Sequence, residues 1–171
     1  TTIAGSLGTS GYTGNGGQAT SALLRNPFGL AFDANNNLYV SEWGNRVVRK
    51  IDMSTGIITH VAGLPGMSGS YGDGGLATGA LLSSMPSGLI ADSVGNIIIA
   101  DAGNHTIRLI EANTGIIKKI AGMGGMGGFF GDGAAATSAG LNTPYYLTCS
   151  SGKIFISDSN NRRVRVLSPN I

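Results

Sequence analysis

The chain has 171 residues, 29 of them glycine, with 11 Lys and Arg against 9 Asp and Glu and a single cysteine. A net charge of +2, spread without a block, leaves no electrostatic footprint for nucleic acid, and one cysteine excludes an internal disulfide or a thiolate cluster for zinc or iron. No apolar run approaches the roughly 20 residues of a membrane-spanning helix, so membrane insertion is also set aside. Abundant glycine with sparse charge points instead to turns and short strands, an all-β chain.

In chain order, the first element is the end of a strand, Ile3-Ala4-Gly5. A long glycine-rich connection follows, carrying Gly14-Asn15-Gly16-Gly17 and Ala19-Thr20, and one helical turn is expected over residues 19–24. After Pro27 come four strands, predicted at Gly29-Leu30-Ala31-Phe32-Asp33, Asn37-Leu38-Tyr39-Val40-Ser41-Glu42, residues 46–52 and residues 57–61. Val61-Ala62-Gly63 then matches the opening, and the connection returns as Gly72-Asp73-Gly74-Gly75 with Ala77-Thr78 and Pro86. The second set of strands is predicted at residues 88–92, 96–101, 106–111 and 116–120. The third copy runs through Ile120-Ala121-Gly122, Gly131-Asp132-Gly133-Ala134, Ala136-Thr137 and Pro144, with strands at 146–150, 153–158 and 163–167.

Copies begin 58 and then 59 residues apart. Four short antiparallel strands per repeat, joined by tight turns, describe the blade of a β-propeller. The expected division is residues 1–5 as the fourth strand of a preceding blade, 6–63 as blade 1, 64–122 as blade 2, and 123–171 as blade 3 lacking its fourth strand. Three blades are half of a six-bladed propeller. Because a blade without its outer strand exposes a pairing edge, the sequence predicts a partner that is another copy of the chain, in a closed homodimer or a head-to-tail filament. Excision from a longer six-bladed chain would explain the same pattern.

The segments from Pro27 to Arg49 and from Pro86 to Arg108 resemble the NHL repeat: Pro-x-Gly-hydrophobic-x-hydrophobic-Asp, then a hydrophobic strand ending in an acid, then Asn-x-x-hydrophobic-Arg. The third copy departs from it, with Tyr146 at the glycine position and Ser150 at the aspartate. With its Gly-Asp-Gly-Gly-containing loop, the chain is similar to the long-loop NHL variety of bacterial and extracellular proteins. The resemblance implies a six-bladed propeller whose commonest role is binding, with a minority of lyase- or lactonase-like relatives, and a location outside the cell or on its surface.

Each copy places an acid, an Asn and an Arg at fixed spacing: Glu42, Asn45 and Arg49; Asp101, Asn104 and Arg108; Asp158, Asn161 and Arg165. A set repeated in every blade is read as what a blade requires, acid and Asn bonding turn backbone and Arg reaching an acid. Residues peculiar to one copy are better ligand candidates: Trp43, Arg46, His105, Tyr145, Tyr146 and Arg162, since aromatics and arginines dominate binding hot spots. Asn104-His105-Thr106 is an N-glycosylation sequon in a predicted surface turn. Asn15, Asp73 and Asp132 lack the alternating oxygen ligands of a calcium loop and read as turn residues. Cys149 is expected to be a buried, inert thiol. No cofactor, metal cluster or nucleophile is singled out. The leading reading is therefore a non-enzymatic protein-binding or assembly scaffold, with glycan as a further possible ligand; the alternative is a carbohydrate-binding or metal-dependent lactonase- or lyase-like propeller.

Overall fold

The computed structural model describes residues 1–168. Eleven strands form three antiparallel sheets. The first has the order β1 (Pro27–Phe32), β2 (Asn37–Glu42), β3 (Val47–Asp52), β4 (Ile58–Ala62). The second follows the same order with β5 (Pro86–Ala91), β6 (Ile97–Asp101), β7 (Thr106–Ile110) and β8 (Ile117–Ala121). The third holds β9 (Pro144–Ser150), β10 (Lys153–Asp158) and β11 (Arg163–Leu167). Strands β1, β5 and β9 neighbour one another and line the axis.

Burial follows each sheet's place in the stack. Every residue of β6 and β7 is buried, because apolar side chains of the middle blade meet a neighbour on both faces. Tyr39 and Val48 of blade 1 pack with Leu89, Ile97, Ile99 and Ile110 of blade 2 in one core. Ile98, Ile107 and Leu109 pack with Ile154, Ile156 and Leu167 in the next. In the end blade β10 only alternate residues are buried, the period-two pattern of a sheet with one covered face.

Two turns show local sequence selecting backbone. Between β1 and β2 the Asp33 carboxylate accepts the Asn35 and Asn37 backbone N–H groups, both at 2.9 Å, and Asp92 repeats this with Val94 and Asn96. The third copy has Ser150 instead. There Lys153 pairs directly with Ser150 across a two-residue turn whose centre, Ser151 and Gly152, has positive φ.

The fourth strand expected over residues 1–5 is not formed. Gly5 N–H donates to Ala19 O at 2.9 Å as Gly63 does to Ala77 O and Gly122 to Ala136 O, so the segment leaves the connection at the equivalent point. A strand exists only by pairing, and no third strand of a preceding blade lies beside it among the described residues. The helical turn expected over 19–24 contracts to a 3-10 turn, Ala19–Ser21, and recurs as Ala77–Gly79 and Ala136–Ser138.

The inner strands approach so closely that a β-carbon on Gly29 would collide with the Ser87 carbonyl oxygen, and one on Gly88 would sit 2.6 Å from the Tyr145 carbonyl oxygen. Gly29→Ala should accordingly cost about 1–3 kcal/mol, a loss of several degrees in melting temperature. Gly79→Ala, which would meet nothing within 4 Å, should be neutral or stabilising by at most about 1 kcal/mol. Thermal melts of the two variants check the pair, and equal losses would refute the close-approach argument.

Candidate functional site

The repeated acid, Asn and Arg side chains converge beneath the glycine-rich connection of each blade. Arg49, fully buried, donates Nε to Asn15 Oδ1 at 3.0 Å, Nη1 to Leu23 O at 3.1 Å and Nη2 to Thr13 O at 2.8 Å. Arg108 repeats the arrangement with Asp73, Leu81 O and Tyr71 O. Arg165 meets Asp132 at 2.6 Å and donates to Gly140 O at 2.8 Å. The loop residues Asn15, Asp73 and Asp132 are thus arginine partners. The strand acids behind the guanidiniums, Glu42, Asp101 and Asp158, each accept an Asn side chain and a backbone N–H at the end of the connection. Asn45, Asn104 and Asn161 in turn reach carbonyls of the connection, Gly11, Gly69 and Gly128.

The Asn of the sequon takes part in this network. Asn104 Nδ2 donates both to Gly69 O at 2.6 Å and to Asp101 Oδ2 at 2.8 Å. The expectation for Cys149 is corrected: it lies in β9 as expected, but exposed. The position is that of Phe32 in blade 1, also exposed, where the inner strand runs past the packed core. A thiol reagent should therefore label the native protein at a rate close to that of the unfolded chain, and protection would refute the placement.

The candidates peculiar to one copy divide in two. Arg46, His105 and Arg162 occupy one structural position, the left-handed residue between the second and third strands of each blade, and so stand apart from one another. Arg46 Nη1 donates to Gly66 O, His105 Nδ1 accepts the Thr143 backbone N–H at 3.0 Å, and Arg162 is exposed. Trp43, Tyr145 and Tyr146 instead come together, joined by Phe28. Trp43 stacks on Phe28 with ring centroids 4.3 Å apart and planes 24° from parallel, and Phe28 on Tyr146 at 5.7 Å and 27°. Tyr145 closes the group at 6.1 Å from Trp43 and 6.4 Å from Tyr146. Blade 2 places Ser87 and Gly88 at these positions, small enough for blades 1 and 3 to meet above them. Phe28 escapes a reading for residues peculiar to one copy; the bulky, small, bulky order Phe28, Ser87, Tyr145 is the signal that marks it.

His60 in β4 accepts or donates to the Tyr12 hydroxyl at 2.9 Å, and its burial pushes its pKa down. Among the described residues no group of three or more His, Cys, Asp and Glu side chains is placed to hold a metal.

Burial also pushes the Glu42 and Asp101 carboxyls up, against hydrogen bonds and arginines that pull them down. Glu42 Oε1 has no hydrogen-bond partner, and its arginine nitrogen lies 3.6 Å away. A carboxyl raised in the folded state binds its proton more tightly there than in the unfolded chain. Its contribution to stability is complete below the ordinary value of 4.5 and is lost as pH rises through the folded-state value. In thermal melts the stability of wild type relative to Glu42→Gln should fall as pH rises above 4.5; a constant or widening difference would contradict it.

No protein-family model matches the chain. In sequence it is 33% identical over 101 residues to Protein SUPPRESSOR OF QUENCHING 1, chloroplastic, of Arabidopsis thaliana, which is 59% of this chain and 9% of that protein. In structure it is similar to a protein of unknown function from Bacteroides thetaiotaomicron, with a TM-score of 0.72, 22% identity, and coverage of 82% of this chain and 34% of that one. An auxiliary nutrient binding protein of the same organism follows with a TM-score of 0.64, 21% identity, and 80% and 36% coverage. The chain thus spans about a third of the length of these solved structures. Antiparallel blades of four, four and three strands, stacked by apolar faces around their inner strands, and the likeness to these folds, make the described chain a three-blade stretch of β-propeller.

Proposed function

We propose that the chain is a non-enzymatic NHL-type scaffold, displayed outside the cell, that binds protein by adding further blades of its own kind. One observation carries the reading: the face of blade 3 that in blades 1 and 2 packs against the next blade is bare, whereas the outer face of blade 1 is covered by its own residues, Leu38, Val40, Ile51 and Ile58 packing with Ala19 and Ala22. Val164 is 76% exposed, where the equivalent Val48 and Ile107 are fully buried, and Val166 is 56% exposed, where its blade 2 equivalent Leu109 is 3% exposed. At the other end Leu30 is 61% exposed, where its equivalent Leu89 is 5% exposed. The bare blade 3 face, and Leu30 at the inner edge of blade 1, are what a second copy would cover in a head-to-tail contact.

The strand edges fit in the same way. In blades 1 and 2 the third strand pairs with the fourth as Val48 with Ala62 and Arg49 with His60, and as Ile107 with Ala121 and Arg108 with Lys119. Transferred through the repeat, Ala4 of one copy lies opposite Val164 of the next and Thr2 opposite Arg165. Tyr146 sets a limit on this contact. It replaces the glycine that lets one inner strand lie against the next, so the added blade stands further from the axis than blades 1 and 2 do from each other.

Light scattering on the purified chain should give a dimer, the closed arrangement, or longer polymers, the filament. Val164→Glu should return either to folded monomer, since a charge at so exposed a position leaves the single chain intact. A wild-type chain that is a stable folded monomer overturns the proposal.

A further inference from the structure

Beyond assembly, we propose that the aromatic stack at the axial end of the inner strands is a platform for one neutral sugar ring. Three rings, Trp43, Phe28 and Tyr146, lie in series with planes 24° and 27° apart. The innermost ring is packed against blade 1 and the outermost, Tyr146, is 62% exposed. Tyr146 therefore presents one ring face already supported from behind. Its backbone is fixed too: Tyr146 N–H donates to Ser157 Oγ at 2.8 Å, across the blade. A rigid, pre-oriented ring binds at less entropic cost than a mobile one.

The chemistry of the surroundings selects the ligand. An aromatic face carries negative quadrupolar charge and attracts the partly positive C–H face of a saturated ring. The phenol groups of Tyr145 and Tyr146 supply polar atoms around that stack. Trp43 Nε1 is buried with no hydrogen-bond partner, a donor that proteins seldom leave unmet. The four rings themselves carry no charge, so the face they offer favours a neutral ligand over a carboxylate, a phosphate or an amine. A nucleic-acid strand would need basic residues tracking its backbone beside the stacking rings. A proline-rich peptide would need a groove with successive pockets, whereas the stack offers a single flat face. A pyranose satisfies both requirements, an apolar face of one ring's width and hydroxyls at its rim.

Trp43 is the only tryptophan, so its emission reports on this site alone. The full chain is titrated with maltohexaose, cellohexaose and chitohexaose, and in parallel with a decaproline peptide and an oligouridylate. The same titrations on Val164→Glu separate binding from assembly, because a sugar that binds this variant equally well does not depend on self-association. One hexasaccharide should shift Trp43 emission saturably. Tyr146→Ala should weaken that midpoint about tenfold while Tyr146→Phe, which keeps the ring, should leave it nearly unchanged. Melting curves establish that both variants fold. The inference is overturned by absence of a shift with all three sugars, by undiminished binding to folded Tyr146→Ala, or by a response confined to the peptide or the oligonucleotide.

Discussion

Two fully buried guanidinium groups govern this architecture. Arg49 and Arg108 are among the largest side chains with almost no exposed surface, and a charge in such a place is tolerable only when its donors are matched. The strand acids match them in charge, but much of the hydrogen bonding comes from carbonyls of the glycine-rich connection. The connection is consequently held in one conformation although it contains little regular structure. Its 3-10 turn places Ala77 and Ala80 into the core between blades 1 and 2. A loop that would otherwise be the least determined part of each repeat becomes a wall of the core.

The period of the repeat and the order of its strands were legible because they rest on local chemistry. Alternating β-branched residues, aspartate turns and the 58- and 59-residue spacing all point to one sheet repeated. Boundaries moved by a residue or two, as with β4 at Ile58–Ala62 where residues 57–61 were expected. What stayed hidden depends on residues far apart in the chain. Cys149 reads as apolar and strand-bound, and it is strand-bound, but its exposure follows from where the inner strand outruns its neighbours. The tripeptide at Asn104 does not reveal that its amide reaches the Gly69 carbonyl, 35 residues away. Phe28 acquires meaning only when blade 1 and blade 3 are placed side by side.

Departures from the repeat concentrate in the third copy, and they have a common physical sense. Ser150 in place of aspartate shortens the turn between β9 and β10 to two residues. Tyr146 in place of glycine ends the series of close inner-strand contacts and puts a ring where a backbone would pass. Losing a packing rule at one position thus makes the surface on which a ligand site can be built, while Gly29 and Gly88 keep the rule where it is needed.

The complete burial of β6 and β7 has a consequence for how the chain opens. In a stack where each unit touches only its neighbours, stability divides into a term for each unit and a term for each junction. The middle sheet shares in both junctions, whereas each outer sheet shares in one. Amide protons of β6 and β7 then exchange only through the rarest opening of the molecule, while those of β10 and β11 escape by fraying of a single junction. Cooperativity in such a molecule runs from its centre outward, and whatever covers the bare face of the third sheet sets how far it extends.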